Sequence, residues 1–237
     1  FIWWLIRGKQ YEIGKRSAYK NLALTSLYIT SLFALTFVGL QYTSATNVAI
    51  ILFLQILFSY LFLGKKQGES LNRQHTLGAT LMTIGALLVL FPGTWQINIG
   101  DVLVLLAAMI APIANTYQKK ARAQVSAETV LLVRSLIALP FLFLLAYLLE
   151  VPPSGEQIQQ QWHWLLLTGF LVFFVSKILW IEAIYLLPIT KVNALYAFAP
   201  LMTMGLAYIV LQEVPSWSQV MGILPILLGG YLITRHR

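Results

Sequence analysis

The stretch TVLLVRSLIALPFLFLLAYLL, residues 129–149, runs for 21 residues with one charge, Arg134. A helix of that length rises about 30 Å, the thickness of a bilayer's hydrocarbon core. Its apolar residues do not alternate as in a barrel strand, and they do not form the short amphipathic runs of a soluble domain. Similar blocks occupy 21–40, 45–64, 76–91, 100–117, 164–187, 194–211 and 220–234. In lipid each backbone polar group must be satisfied within its own segment, so all of these spans are expected to be helices. The composition agrees: 237 residues, 59% hydrophobic and 10% charged, carry too little charge to cover a soluble domain.

The chain has no cysteine, which excludes disulfides, thiolate metal sites and cysteine nucleophiles. His75, His163 and His236 lie in or beside loops without ligand spacing, so no metal site is expected. No Walker loop, GxGxxG, HExxH or GxSxG occurs. Neither an enzyme nor a bound cofactor is expected, and the chain does not hydrolyse ATP on its own.

A net charge of +8 could suggest nucleic acid, but its distribution argues against that partner. Arg7, Lys9, Lys15, Arg16 and Lys20 fill the first connection, and Lys65, Lys66 and Arg73 the connection two spans later. Lys119, Lys120 and Arg122 follow after two more spans, then Lys191, then Arg235 and Arg237. The intervening connections hold Asp101, Glu150, Glu156 and Glu213 without Lys or Arg. This is the positive-inside pattern of a multi-pass protein of the cytoplasmic (inner) membrane, and it puts the C-terminus in the cytoplasm.

Shifting the chain by 144 residues lays Glu69, Gly78 and Gly85 on Glu213, Gly222 and Gly229, and Thr46 and Val48 on Thr190 and Val192. The charge reading puts the two glutamates on opposite sides, so the repeat is inverted. Inverted repeats mark many secondary transporters, with the substrate held where the halves meet. The alternative is a repeat that records only an old duplication. Mapped back by 144 residues, the second copy's first span has no counterpart and its second only 1–6. The expectation is a ten-span protein lacking its first span and most of its second.

Residues 182–195, EAIYLLPITKVNAL, then Pro200-Leu-Met-Thr, Leu211-Gln-Glu213 and Ser218-Gln-Val-Met-Gly222, resemble drug/metabolite transporters of the EamA type. The first half repeats the pattern more loosely, from Gly39 to Asn47, at Leu63-Gly64 and at Glu69, with Ile56 standing opposite Pro200. The resemblance implies an all-α membrane protein, a 5+5 inverted-repeat bundle with a central cavity and alternating access without ATP. Residues 1–93 would be the first EamA-like repeat and 99–235 the second. Export is the family's tendency.

Three charges fall within spans, where each costs about 2.5–3.5 kcal/mol unless it meets a cavity or a partner. Lys177 is too deep to snorkel easily and is expected to face the cavity. Such a lysine would favour a carboxylate or phosphate. Arg134 and Glu182 reach matching depths on antiparallel neighbours and are expected to pair, although Arg134 could snorkel instead. All three could equally form a structural network.

Asn193, Tyr196, Pro200 and Thr203 share one helical face, with Pro200 a hinge that frees the Tyr196 carbonyl. Asn47, Gln55 and Ser59 line the related helix, and Trp180 and Tyr185 are further wall candidates. Interhelical hydrogen bonds explain these stripes as well as a cavity does. The proline-rich and glutamine-rich stretch 151–161 reads as a connector, and 8–19 as its counterpart. The expected function is secondary transport of a small polar or amphipathic metabolite. The expected partners are that substrate, the lipid bilayer, a coupling proton or ion, and a second copy of the chain. A non-transporting membrane scaffold and an enzyme acting on lipid-linked substrates are the competing readings.

Overall fold

The structure is a computed structural model, and it describes residues 2–63, 73–90, 98–149, 154–187, 192 and 198–235. The described elements are helices: α1 Ile2–Ile6, α2 Tyr19–Leu40, α3 Ala45–Phe53, α4 Gln55–Leu63, α5 Arg73–Leu90, α6 Ile99–Arg122, α7 Ala127–Leu148, α8 Gly155–Leu167, α9 Ser176–Leu186, α10 Phe198–Leu206 and α11 Trp217–Thr234. Short 3₁₀ turns at Gln10–Gly14 and Arg16–Ala18 precede α2. A π-helical stretch, Thr168–Val175, joins α8 to α9, and a second, Ala207–Leu211, extends α10. Among the described residues, five helical segments are long and apolar enough to cross a bilayer: Arg16–Leu40, Ala45–Phe62, Ile99–Arg122, Ala127–Leu148 and Gly155–Leu186.

Serine hydroxyls start four of the helices by accepting a backbone N–H three residues on, which satisfies a donor the helix leaves open. Ser44 accepts from Asn47, Ser126 from Thr129, Ser154 from Gln157 and Ser216 from Gln219. At Ser154 and Ser216 the glutamine amide oxygen returns a bond to the serine N–H, completing a capping box. The Ser154 box corrects the expected connector 151–161, because the chain is helical from Gly155 onward. The 32 residues Gly155–Leu186 would extend about 48 Å as an α-helix, well beyond a hydrocarbon core. The polar first turns can therefore stand outside the lipid while remaining helical.

The chain divides into two units interleaved along the sequence. Unit 1 holds 1–30 and 114–187, and unit 2 holds 31–113 and 188–237. In unit 1, α7 and α9 pack together over Ala18, Leu22, Ala121, Val125, Val130, Leu131 and Ile181. The rest of that surface is apolar and open: Leu144 is 56% exposed and Phe170 60%, as suits contact with acyl chains.

Unit 2 is centred on α5 against α11. A Cβ on Gly85 would stand 2.5 Å from the Gly222 carbonyl oxygen, and one on Gly78 2.7 Å from that of Gly229. The four repeat-related glycines thus meet crosswise, the earlier of one pair facing the later of the other. Two backbones can approach this closely only where side chains are missing. Phe53, Ile56, Met82 and Ile226 close the core beside this seam.

Candidate functional site

On α6, Asn115, Gln118 and Arg122 recur at intervals of three and four and so share one face. Each holds one group from α7 or α9. The Trp180 indole Nε1 donates to Asn115 Oδ1 at 3.3 Å. Arg134 Nη1 donates to Gln118 Oε1 at 2.7 Å. Arg122 grips Glu182 with both arms, Nε to Oε1 at 2.9 Å and Nη2 to Oε2 at 3.0 Å, and its guanidinium lies over the Tyr185 ring at 4.6 Å. Parallel bonds of this kind are the strongest way to hold a carboxylate.

This overturns the expected Arg134–Glu182 pair. The depths do match, but α6 presents a fork to the carboxylate and an amide to the guanidinium, and both turn towards it. Arg134 is only 6% exposed, so it does not snorkel. Gln118 is fully buried, and its Nε2 has no hydrogen-bond partner among the described residues. Lys177 is half-buried on α9 and within electrostatic reach of Arg134, a like charge. Glu182, five residues further along α9, is engaged by Arg122 instead.

The N-terminus of α7 is held by a second carboxylate. Glu12 is 4% exposed and accepts from the Ser126 N–H at 2.9 Å, the Ser126 hydroxyl at 2.7 Å and the Thr129 hydroxyl. Trp4 Nε1 donates to the same Thr129 hydroxyl oxygen at 2.9 Å. Burial alone would push the Glu12 carboxyl up. The bonds from Thr129 and Ser126, with Lys9 nearby, outweigh it and hold the group below the ordinary 4.5.

In unit 2 the polar groups gather at the start of α3. Asn47 Nδ2 donates to Asp101 Oδ1 at 3.1 Å and to Thr43 Oγ1 at 3.2 Å, while its Oδ1 accepts from Gln219 Nε2 at 2.7 Å. Thr43 Oγ1 also donates to Asp101. Asn47, expected on the cavity wall, is thereby the hub of an interhelical network. Glu213 Oε1 receives the Ala45 N–H at 3.3 Å, so an acidic loop residue caps a helix. Gln55 is buried, Thr203 is half-buried, and Pro200 is buried in the first described turn of α10. Asn193, Tyr196 and Glu69 lie outside the described residues.

Sequence reasoning did not mark Asn115, Gln118 and Arg122 as a site, although their three-and-four spacing was readable. Arg122 was counted with the loop charges, and the two amides were passed over beside the more conspicuous lysine.

Long apolar helices with exposed faces, and charged and amide side chains turned towards one another inside, define a multi-pass α-helical membrane protein. The EamA-like transporter family matches residues 1–91 and 98–235. The chain belongs to that family, within the drug/metabolite transporter superfamily. It is 22% identical over 209 residues to an uncharacterized transporter of Synechocystis sp., covering 84% of this chain and 60% of that protein's length. It is 25% identical over 228 residues to an uncharacterized transporter of Archaeoglobus fulgidus, covering 92% and 77%. A solved crystal structure shares the fold at a TM-score of 0.63 and 18% identity, over 90% of this chain and 75% of that one.

Proposed function

We propose that the protein is a secondary active transporter that carries a small polar or amphipathic metabolite across the cytoplasmic membrane by alternating access, and carries it outward. The observation behind this reading is the seam of Arg134, Lys177, Gln118, Asn115 and Trp180 inside membrane-length helices of a transporter-family chain. Charges at that depth are costly, and recognition of a passing polar group is what would retain them. The two repeats, 1–93 and 99–235, serve as inverted halves of a ten-span bundle with the C-terminus in the cytoplasm. The crosswise meeting of Gly78 and Gly85 with Gly229 and Gly222 supports that pseudo-symmetry, since a two-fold axis pairs positions in this way. A coupling proton or ion and a second copy of the chain complete the proposed partners.

The test is counterflow in liposomes with the full-length protein and a labelled pool of amino acids, nucleosides and organic acids. Saturable exchange is expected, with Lys177→Ala lowering it at least about tenfold while the protein remains folded. Folded protein that exchanges no compound, and that co-purifies with an obligate partner, would favour the scaffold reading instead.

A further inference from the structure

We infer that Arg16, Lys20 and Lys120, set in place by Gln124 and Lys15, form a binding patch for the headgroup of an anionic phospholipid. This goes beyond the transport reading and does not depend on it; it needs only that the helices lie in a bilayer.

The patch is assembled by Gln124, in the turn that follows α6. Its Oε1 accepts from Asn21 Nδ2 at 2.9 Å, and its Nε2 donates to the Ser17 carbonyl at 3.3 Å. Its own carbonyl accepts from Lys15 Nζ at 3.2 Å. These bonds hold the 3₁₀ turn Arg16–Ala18 and the first turn of α2 against the end of α6. Arg16 and Lys20 stand among the bonded residues, and Lys120 lies one helical turn before Gln124. All three cations are exposed. Lys120 Nζ sits over the Tyr117 ring at 5.2 Å, and Tyr117 stacks on Tyr28 of α2 at 5.7 Å.

Carboxylates elsewhere in unit 1 are already engaged, Glu12 by Lys9, Glu128 by Arg7 and Glu182 by Arg122. None of Lys15, Arg16, Lys20 and Lys120 forms an ion pair among the described residues. The Lys15 ammonium is spent on a carbonyl at the C-terminus of α6, the negative end of that helix. Arg16, Lys20 and Lys120 remain for a ligand. Like charges this close along the chain repel one another, and an anion relieves them. A guanidinium fork matches two phosphate oxygens, and the ammonium groups add point charges.

What adjoins the cations selects a lipid over a soluble anion. Leu27 stands two turns after Lys20 on the same face of α2 and is 59% exposed. A phosphate held at Lys20 thus has an open apolar track for its acyl chains, leading along the membrane-length segment Arg16–Leu40. Tyr11, 64% exposed and with Lys15 Nζ over its ring at 5.6 Å, adds an aromatic of the kind that settles at headgroup depth.

The experiment titrates phosphatidylglycerol into phosphatidylcholine nanodiscs holding the protein and follows thermal unfolding. Phosphatidylglycerol is expected to raise Tm. Arg16→Gln, Lys20→Gln and Lys120→Gln should each raise the fraction needed for half the effect about fivefold, the attraction one basic residue contributes at a membrane surface. Arg73→Gln combined with Arg235→Gln removes two cations of unit 2 and should leave that midpoint in place. Gln124→Ala keeps every charge but frees the turn. It should weaken the lipid effect by itself, which bulk attraction to a basic loop would not do, and its Tm in pure phosphatidylcholine reports the structural loss separately.

The inference is overturned if phosphatidylglycerol leaves Tm unchanged, if the three cation variants respond as the parent does, or if the unit 2 control weakens the effect as much as they do. An unmoved midpoint in Gln124→Ala overturns it as well. An equal rise from glycerol 3-phosphate in pure phosphatidylcholine would make the ligand a soluble anion and remove the lipid. Counterflow is read apart from all of these. A carrier that exchanges solute but ignores phosphatidylglycerol loses this inference alone, and one that selects the lipid but exchanges nothing loses the transport reading alone.

Discussion

The two units solve the same problem by opposite means. Unit 2 brings α5 and α11 together by removing side chains, so that glycine carbonyls lie where a methyl group would stand. Unit 1 ties α6, α7 and α9 together by adding the most expensive side chains lipid can contain, and meeting each with an amide or a counter-ion. A glycine seam is dry, close and indifferent to charge. A polar seam is specific, and it costs free energy wherever a partner is missing. The contrast separates a unit held by close backbone packing from one held by polar pairs.

Gly85→Ala should break the first kind of seam. The new Cβ would stand 2.5 Å from the Gly222 carbonyl oxygen and 2.6 Å from the Ile226 side chain, so the helices must part, at about 3 kcal/mol. Gly205→Ala is the control. A Cβ there meets nothing within 4 Å, and alanine in a helix is worth about 0.5–1 kcal/mol over glycine. Detergent unfolding curves should separate the two variants in opposite directions, and equal midpoints would remove the glycine seam as a source of stability.

The second seam should break differently. Arg122→Leu leaves Glu182 half-buried without its partner and should cost about 2 kcal/mol, less than for a fully buried pair because both groups retain some exposure. Adding Glu182→Leu should restore most of that loss, as a charge-paired seam requires and a purely steric one does not. A double variant no more stable than the single one would count against the pairing.

The smallest effect concerns Glu12. Its folded value lies below 4.5, so the stability it contributes is complete above the unfolded value and is lost as pH falls through the folded one. Unfolding monitored by tryptophan emission between pH 7 and 3 should show a steepening loss below about 4.5. Glu12→Gln should flatten that window while costing about 1 kcal/mol at neutral pH, the usual value of a helix cap. An unchanged pH profile in Glu12→Gln would assign the acid sensitivity to another group.

Most of the fold was legible because lipid imposes a single rule, and each described apolar block obeys it as a helix. The candidate site was legible in its charges but not in their pairing. Depth along a helix can be counted from the sequence, so Lys177, Arg134 and Glu182 were all found. Which neighbour a side chain meets depends on the packing of three helices, and Arg122 reached Glu182 from a position that looked like loop charge. Asn47 shows the converse. Its polar stripe was real, but Asp101, some 50 residues distant in sequence, claimed it for an interhelical bond. The helix running from Gly155 was missed because proline and glutamine outweighed a serine–glutamine cap in a reading by composition.

The π-helical stretch Thr168–Val175 governs more than its own eight residues. Its hydrogen bonds close five residues apart rather than four, so each turn takes up an extra residue. The compass bearing of Lys177, Trp180 and Glu182 is therefore set upstream of all three. Deleting one residue between 168 and 175 would swing the three together by about 100° while preserving their spacing. Among relatives, a one-residue gap in this stretch would redirect all three side chains without altering any of them.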